Sequence, residues 1–195
     1  MREFNNTKTI ESLYRQDQLR RKETKSLRFE KISLCDNFSN RRDLVSLIAY
    51  CLNPNHYHLL IKQIADKGIE KFMHKLGLSY TQYFNAKNNR SGSLFQGPYK
   101  SAPIKTDAQL LYISAYINGN HEIHKISNGV NKISKADEWK YSSYLDYLRK
   151  RKGNLCNKKV ILDQFENIQE YKDYIKSVIK NSKEMKEEVK KSLLE

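Results

Sequence analysis

Between Leu44 and Leu52 nearly every residue is apolar, and after the turn signal Asn53-Pro54-Asn55 a second stretch, His56 to Lys62, resumes in extended character. A buried strand, a tight turn and an antiparallel partner are predicted, which together make a hairpin. From Gly68 to Lys87 the period changes: Ile69, Phe72, Met73, Leu76, Tyr80, Tyr83 and Phe84 recur at steps of three and four. That spacing predicts an amphipathic helix, expected to cover the sheet. The polar run 88–93, "NNRSGS", ends it, and "LFQGPYKSAPIK" suits a loop running into a short strand near Tyr99 to Ile104. Thr106 followed by Gln109 is a capping-box pattern with Asp107 in the first turn, so a helix is predicted from there to about Asn120, its end weakened by Gly119. "WKYSSYLDYLRKRKG" after Trp139 predicts a further helix, and Asp163 to Glu195 reads as peripheral helices rich in Lys and Glu. Residues 1–43 are polar, with a helix expected at Ile10 to Arg21 and a strand around Leu27 to Leu34.

Composition adds a surface to this skeleton. With 38% hydrophobic and 30% charged residues the chain is a folded globular protein with a heavily solvated exterior, not a disordered one. Thirty-six Lys and Arg against 22 Asp and Glu leave a net charge of +14, a potential attractive to polyanions, though lysine-rich usage for solubility alone would give the same sum. Thirteen Tyr and seven Phe tilt the balance toward nucleic acid, since aromatic faces among cations suit unpaired bases. Cys35, Cys51 and Cys156 are odd in number and widely spaced, the pattern of reduced thiols in a cytosolic protein. No signal-peptide pattern and no long apolar span occurs, so a cytoplasmic protein without membrane partners is expected.

Candidate chemistry begins with the hairpin. Side chains alternate along a strand, so His56 and His58 share a face and their imidazoles can share one divalent ion. Two histidines alone do not make a metal site; a third ligand is required. The helix after Thr106 offers one, because Tyr112, Tyr116 and Asn120 step by four and line one stripe. Asn120 has a neutral oxygen to give, and either tyrosine could hold a hydroxyl nearby. Packing is the competing role for any tyrosine on a helix.

Four islands, "AYCLNPNHYHLLI", "SGSLFQGPYKS", "AYINGN" and "EWKYSSYLDYL", spread over about half the chain. In order and spacing they resemble the IS200-like, single-tyrosine (Y1) transposases of the HUH nuclease superfamily, particularly the REP-associated tyrosine transposase branch. The resemblance implies an α+β fold built on a ferredoxin-like antiparallel sheet with helices on one face, here followed by a helical C-terminal extension. On that basis residues 1–43 form a polar N-terminal segment, 44–147 the transposase core and 148–195 the extension. It also implies that His56 and His58 bind the metal, that Tyr116 is the nucleophile and that Asn120 is the third ligand. Tyr112 remains the rival nucleophile on spacing, whereas the family's tyrosine–isoleucine–x–x–asparagine pattern falls on Tyr116 to Asn120.

The implied activity is cleavage and rejoining of single-stranded or hairpin DNA through a covalent 5′-phosphotyrosine, assisted by Mg²⁺ or Mn²⁺, with imidazole ligands favouring Mn²⁺. Phe95 and Tyr99 are expected to stack on bases, and Lys100 and Lys105 to contact phosphates. Related transposases act as dimers, so a homodimer enters as an expectation of the resemblance alone. A second reading is a catalytically silent nucleic-acid-binding protein on the same fold; a third is a metal hydrolase that forms no adduct. The sequence departs from the family in three places. Asn120 is followed by His121, a competing ligand or a surface histidine, instead of proline. Pro98 stands where an arginine is usual. The family's first strand and helix are not recognisable before Leu44, as if the chain began at an internal methionine.

Overall fold

The structure, a computed structural model, describes residues 43–124 and 138–192. The helix and strand expected before residue 43 lie outside the described residues. The described residues fall into two compact units, a first of 43–45 and 63–101 and a second of 46–62, 102–124 and 138–192.

The hairpin forms as the sequence predicts. β1 (Val45–Leu52) and β2 (Tyr57–Gln63) pair antiparallel, and Asn53 N–H donates to His56 C=O at 2.9 Å with Pro54 and Asn55 at the tip. β1 is buried along both faces because its second edge is also occupied. Leu52 N–H donates to Tyr141 C=O, Ser143 N–H to Tyr50 C=O and Asn157 N–H to Leu47 C=O, and the Tyr147 hydroxyl donates to Ile48 C=O. A strand whose polar backbone is satisfied on both edges can be as apolar as Leu44 to Leu52.

In the first unit, α1 spans Gly68–Lys87 and buries Phe72 and Met73. Its start requires glycine: a Cβ on Gly68 would lie 2.1 Å from the Leu44 carbonyl oxygen. Its end is a Schellman-type turn, with Asn89 at φ +50° and Arg90 N–H donating to Asn85 C=O at 3.0 Å. Of the "NN" that breaks the sequence period, Asn89 is the residue that turns the backbone left-handed. The strand expected near Tyr99 to Ile104 does not form; this stretch is irregular, and Pro98 and Pro103 withhold the N–H donors a ladder would need.

In the second unit, α2 (Asp107–His124) begins as predicted: the Thr106 hydroxyl accepts from Gln109 N–H at 3.1 Å, and Gln109 Oε1 reaches back to Lys105 N–H at 2.9 Å. It does not end at Asn120 but runs four residues further. The helix expected after Trp139 shrinks to α3 (Tyr144–Tyr147), because residues 141–143 have given their backbone to β1 and Arg149 at φ +55° stops the turn. After α4 (Lys159–Leu162), the long helix α5 (Ile168–Ser192) buries Tyr171, Ile175, Val178 and Ile179 in one core with Ile48, Leu60, Ala115 and Ile117. The C-terminal helix is therefore not peripheral; its apolar stripe completes the core. A two-stranded sheet with helices among the described residues makes the fold α+β.

Candidate functional site

Each unit has to be considered for itself. Phe95, Tyr99 and Lys100 belong to the first, where Phe95 packs half-buried against Tyr80 with ring centroids 6.4 Å apart and the other two are exposed. Lys105 belongs to the second, exposed just ahead of α2 and roughly 16 Å of helix rise from Tyr116. None of these four is brought beside the histidine pair by a contact within its own unit.

The residues from the hairpin and from α2 do meet. The His56 and His58 rings stand edge to face with centroids 5.1 Å apart, and His58 is 6.2 Å from the Tyr116 ring. Tyr112 stacks on Tyr116 at 6.4 Å and stays 40% exposed, one turn outward. Asn120 is fully buried. Its Oδ1 accepts from Asn53 Nδ2 at 2.8 Å, and the same Asn53 nitrogen is 2.9 Å from His56 Nε2. Asn53 Oδ1 faces the Cys51 thiol at 3.5 Å, which agrees with this amide orientation. The Nδ1 of His56 is 2.7 Å from Asn55 Oδ1 and must donate to it, which leaves Nε2 with the lone pair.

That arrangement tests whether the residues suit a divalent ion. A partly positive amide nitrogen sits where the lone pairs of His56 Nε2 and Asn120 Oδ1 converge, and His56 is held by its outer nitrogen in the tautomer a metal needs. Among the described residues no three His, Cys, Asp or Glu converge on a metal position, so a third donor would have to be the carboxamide oxygen of Asn120. Burial, then the neighbouring His56 and His124, lower the His58 pKa and favour the neutral imidazole that binds metals. The residues fit the group.

Two members of the cluster, Asn53 and His124, carry no expectation from the sequence. Asn53 reads there only as part of a turn. His124 could have been found, because Tyr112, Tyr116, Asn120 and His124 continue a single four-residue stripe once the helix is allowed past Gly119. Its Nε2 is 3.2 Å from the Tyr116 hydroxyl and its ring 5.9 Å from that of His56. Burial, then Lys186 and His56, lower its pKa. Tyr116 is pushed up by burial and by Tyr112. Asn120 opposes that rise from nearby, although its Nδ2 makes no proper hydrogen bond and is left buried without a partner. His121 is not on the surface: it is 1% exposed and lies flat on Trp139, rings 4.0 Å apart and 2° from parallel.

The family described as transposase IS200 like matches residues 12–120, more than half of the chain, and the chain belongs to that family. The match begins well upstream of Ala49, where the sequence islands start. No curated protein and no solved structure matches the chain. No helix among the described residues is long and apolar enough to cross a membrane.

Proposed function

We propose that this member of the IS200-like transposase family cleaves and rejoins single-stranded or hairpin DNA with Tyr116 as nucleophile, and that it falls in the REP-associated, single-tyrosine branch. What supports the reading above all is that α2 carries the Tyr116 ring to 6.2 Å from that of His58 on a distant hairpin, with its hydroxyl 3.2 Å from His124, whose ring is in turn 5.9 Å from that of His56. A Mg²⁺ or Mn²⁺ ion held by His56, His58 and Asn120 would supply charge against a non-bridging phosphate oxygen. The Tyr116 oxygen attacks phosphorus, its proton leaving toward His124 Nε2, and the bond from phosphorus to the 3′ oxygen breaks, that oxygen taking a proton from water. The products are a 5′-phosphotyrosine and a strand ending in a 3′-hydroxyl, so one phosphoester bond has replaced another. Attack of a 3′-hydroxyl on the adduct reverses the step and releases Tyr116, which is how strands are rejoined. A phenol with a reference pKa near 10, raised further by burial, needs such a proton acceptor close at hand.

The test is to incubate the protein and Mn²⁺ with 5′- and 3′-labelled single-stranded hairpin oligonucleotides of randomised sequence. Protein attached to the 5′ end of the downstream fragment, mapped to Tyr116 by mass spectrometry and absent in Tyr116→Phe, is the expected result. Tight binding with no cut would overturn the reading in favour of a DNA-binding protein. Cutting without an adduct would overturn it in favour of hydrolysis.

A further inference from the structure

The C-terminal helix reaches the nucleophile, and its route there is tightly specified. Where α5 crosses α2, Gly119 has no side chain and an added Cβ would lie 2.6 Å from Ile179 Cγ1, so the two helices touch almost backbone to side chain. One turn on, Ser182 is buried and Lys183 pairs with Glu122 at 2.9 Å, both partners largely shielded from water. These contacts fix the register of the next turn. It carries Lys186, whose Nζ lies 3.0 Å from each ring nitrogen of His124.

A neutral imidazole has one lone pair, and the nitrogen nearest the Tyr116 hydroxyl is one of the two that Lys186 faces. The ammonium is therefore held beside the nucleophile by a partner that carries no negative charge. Among the described residues no carboxylate pairs with it, whereas Lys176 and Lys183 on the same helix each have one. The residue remains exposed, and its partial burial against α2 lowers its pKa. The complement to such a group is an anion, and at this place the anion is a phosphate.

We infer that Lys186 binds a non-bridging oxygen of the phosphate that Tyr116 attacks, so that the C-terminal helix contributes a substrate-binding residue to the site. This rests on the proposed reaction. Lys186 stands outside the residues matched by the family, so its part in the site comes from the packing of α5 and not from the shared motif. His124, between the two, is a positioning residue for the ammonium in the free protein, and the incoming phosphate draws the lysine off it.

Lys186→Ala, Lys186→Arg and the control Lys176→Ala, which removes the same charge from a distant turn of the helix, separate a local contact from general attraction. Two readouts are needed: binding of an oligo-dT strand as a function of salt, and yield of the Tyr116 adduct with Mn²⁺. In Lys186→Ala the salt slope should fall by about 0.7, one single-strand phosphate contact, with Lys176→Ala and Lys186→Arg unchanged. Adduct yield should fall roughly tenfold or more in Lys186→Ala, the scale of one charge-assisted bond at about 1.4 kcal/mol per tenfold, and recover in Lys186→Arg. Lys186→Ala matching Lys176→Ala in both readouts would overturn the inference while leaving the tyrosine mechanism standing. If the wild-type protein formed no adduct at all, the proposed reaction would fall, and a lowered slope would still uphold the phosphate contact.

Discussion

Asn118 and Asn120 lie two residues apart on α2, are both fully buried, and have opposite surroundings. Two residues turn a helix by about 200°, so they look to opposite sides. Asn118 is saturated: Nδ2 donates to the Tyr171 hydroxyl at 2.7 Å, and Oδ1 accepts from the Ser143 hydroxyl at 2.5 Å, while Ser143 Oγ in turn accepts from Tyr50 N–H. That network ties α2, α5 and β1 into one body. Asn120 is half used, its oxygen shared with Asn53 and its nitrogen without a partner. Buried polar groups that are all paired hold a fold, and Asn120 Nδ2 lacks that pairing.

Three substitutions probe this contrast, in decreasing order of effect on stability. Asn118→Ala removes the amide that bridges the Tyr171 and Ser143 hydroxyls, leaves each short of one buried partner and should cost about 2–3 kcal/mol, read from the midpoint of urea unfolding at constant m. A loss under about 0.5 kcal/mol would mean the network is not what joins the three elements. Gly119→Ala sets two effects against each other. The helix gains about 1 kcal/mol in propensity, but the new methyl meets Ile179 and overpacking costs about 1–3 kcal/mol. A net loss of about 1 kcal/mol is expected, together with a lower adduct yield as α5 and Lys186 shift. A stabilised protein with full adduct yield would show the crossing to be looser than described. Asn120→Ala removes one hydrogen bond and one orphaned donor at once, so stability should change by no more than about 0.5–1 kcal/mol. Adduct formation should nevertheless fall on the order of a hundredfold, because a metal donor is gone. A large stability loss with unchanged chemistry would exchange the roles assigned to the two asparagines.

Much of this was legible one residue at a time. The hairpin, the full extent of α1 and the start of α2 follow from spacing, turn residues and caps, all of which act within a few residues along the chain. The same local logic misleads where distant backbone competes. "WKYSSYL" has helical spacing, yet residues 141–143 pair with β1 and only one turn of helix survives. His121 looks like a surface residue after a helix end because Gly119 suggests one; the glycine in fact admits α5, and the helix carries His121 onto Trp139. The candidate site divides in the same way. His56, His58, Tyr116 and Asn120 stand out through motif and stripe, His124 is visible only if the stripe is extended, and nothing near Lys186 in the sequence marks it as different from its neighbouring lysines.

By itself, then, the order of residues determined which segments are extended or helical, which faces carry polar groups, and the membership of the IS200-like family. Those properties depend on periods of two and 3.6 and on neighbours a turn away. Tertiary structure alone decided that an amide from the hairpin tip bridges His56 and Asn120, and that a lysine from the last helix meets His124 beside Tyr116. Such meetings depend on how closely helices cross and which strand edges are filled, and no spacing along the chain encodes a distance between parts that only packing brings together.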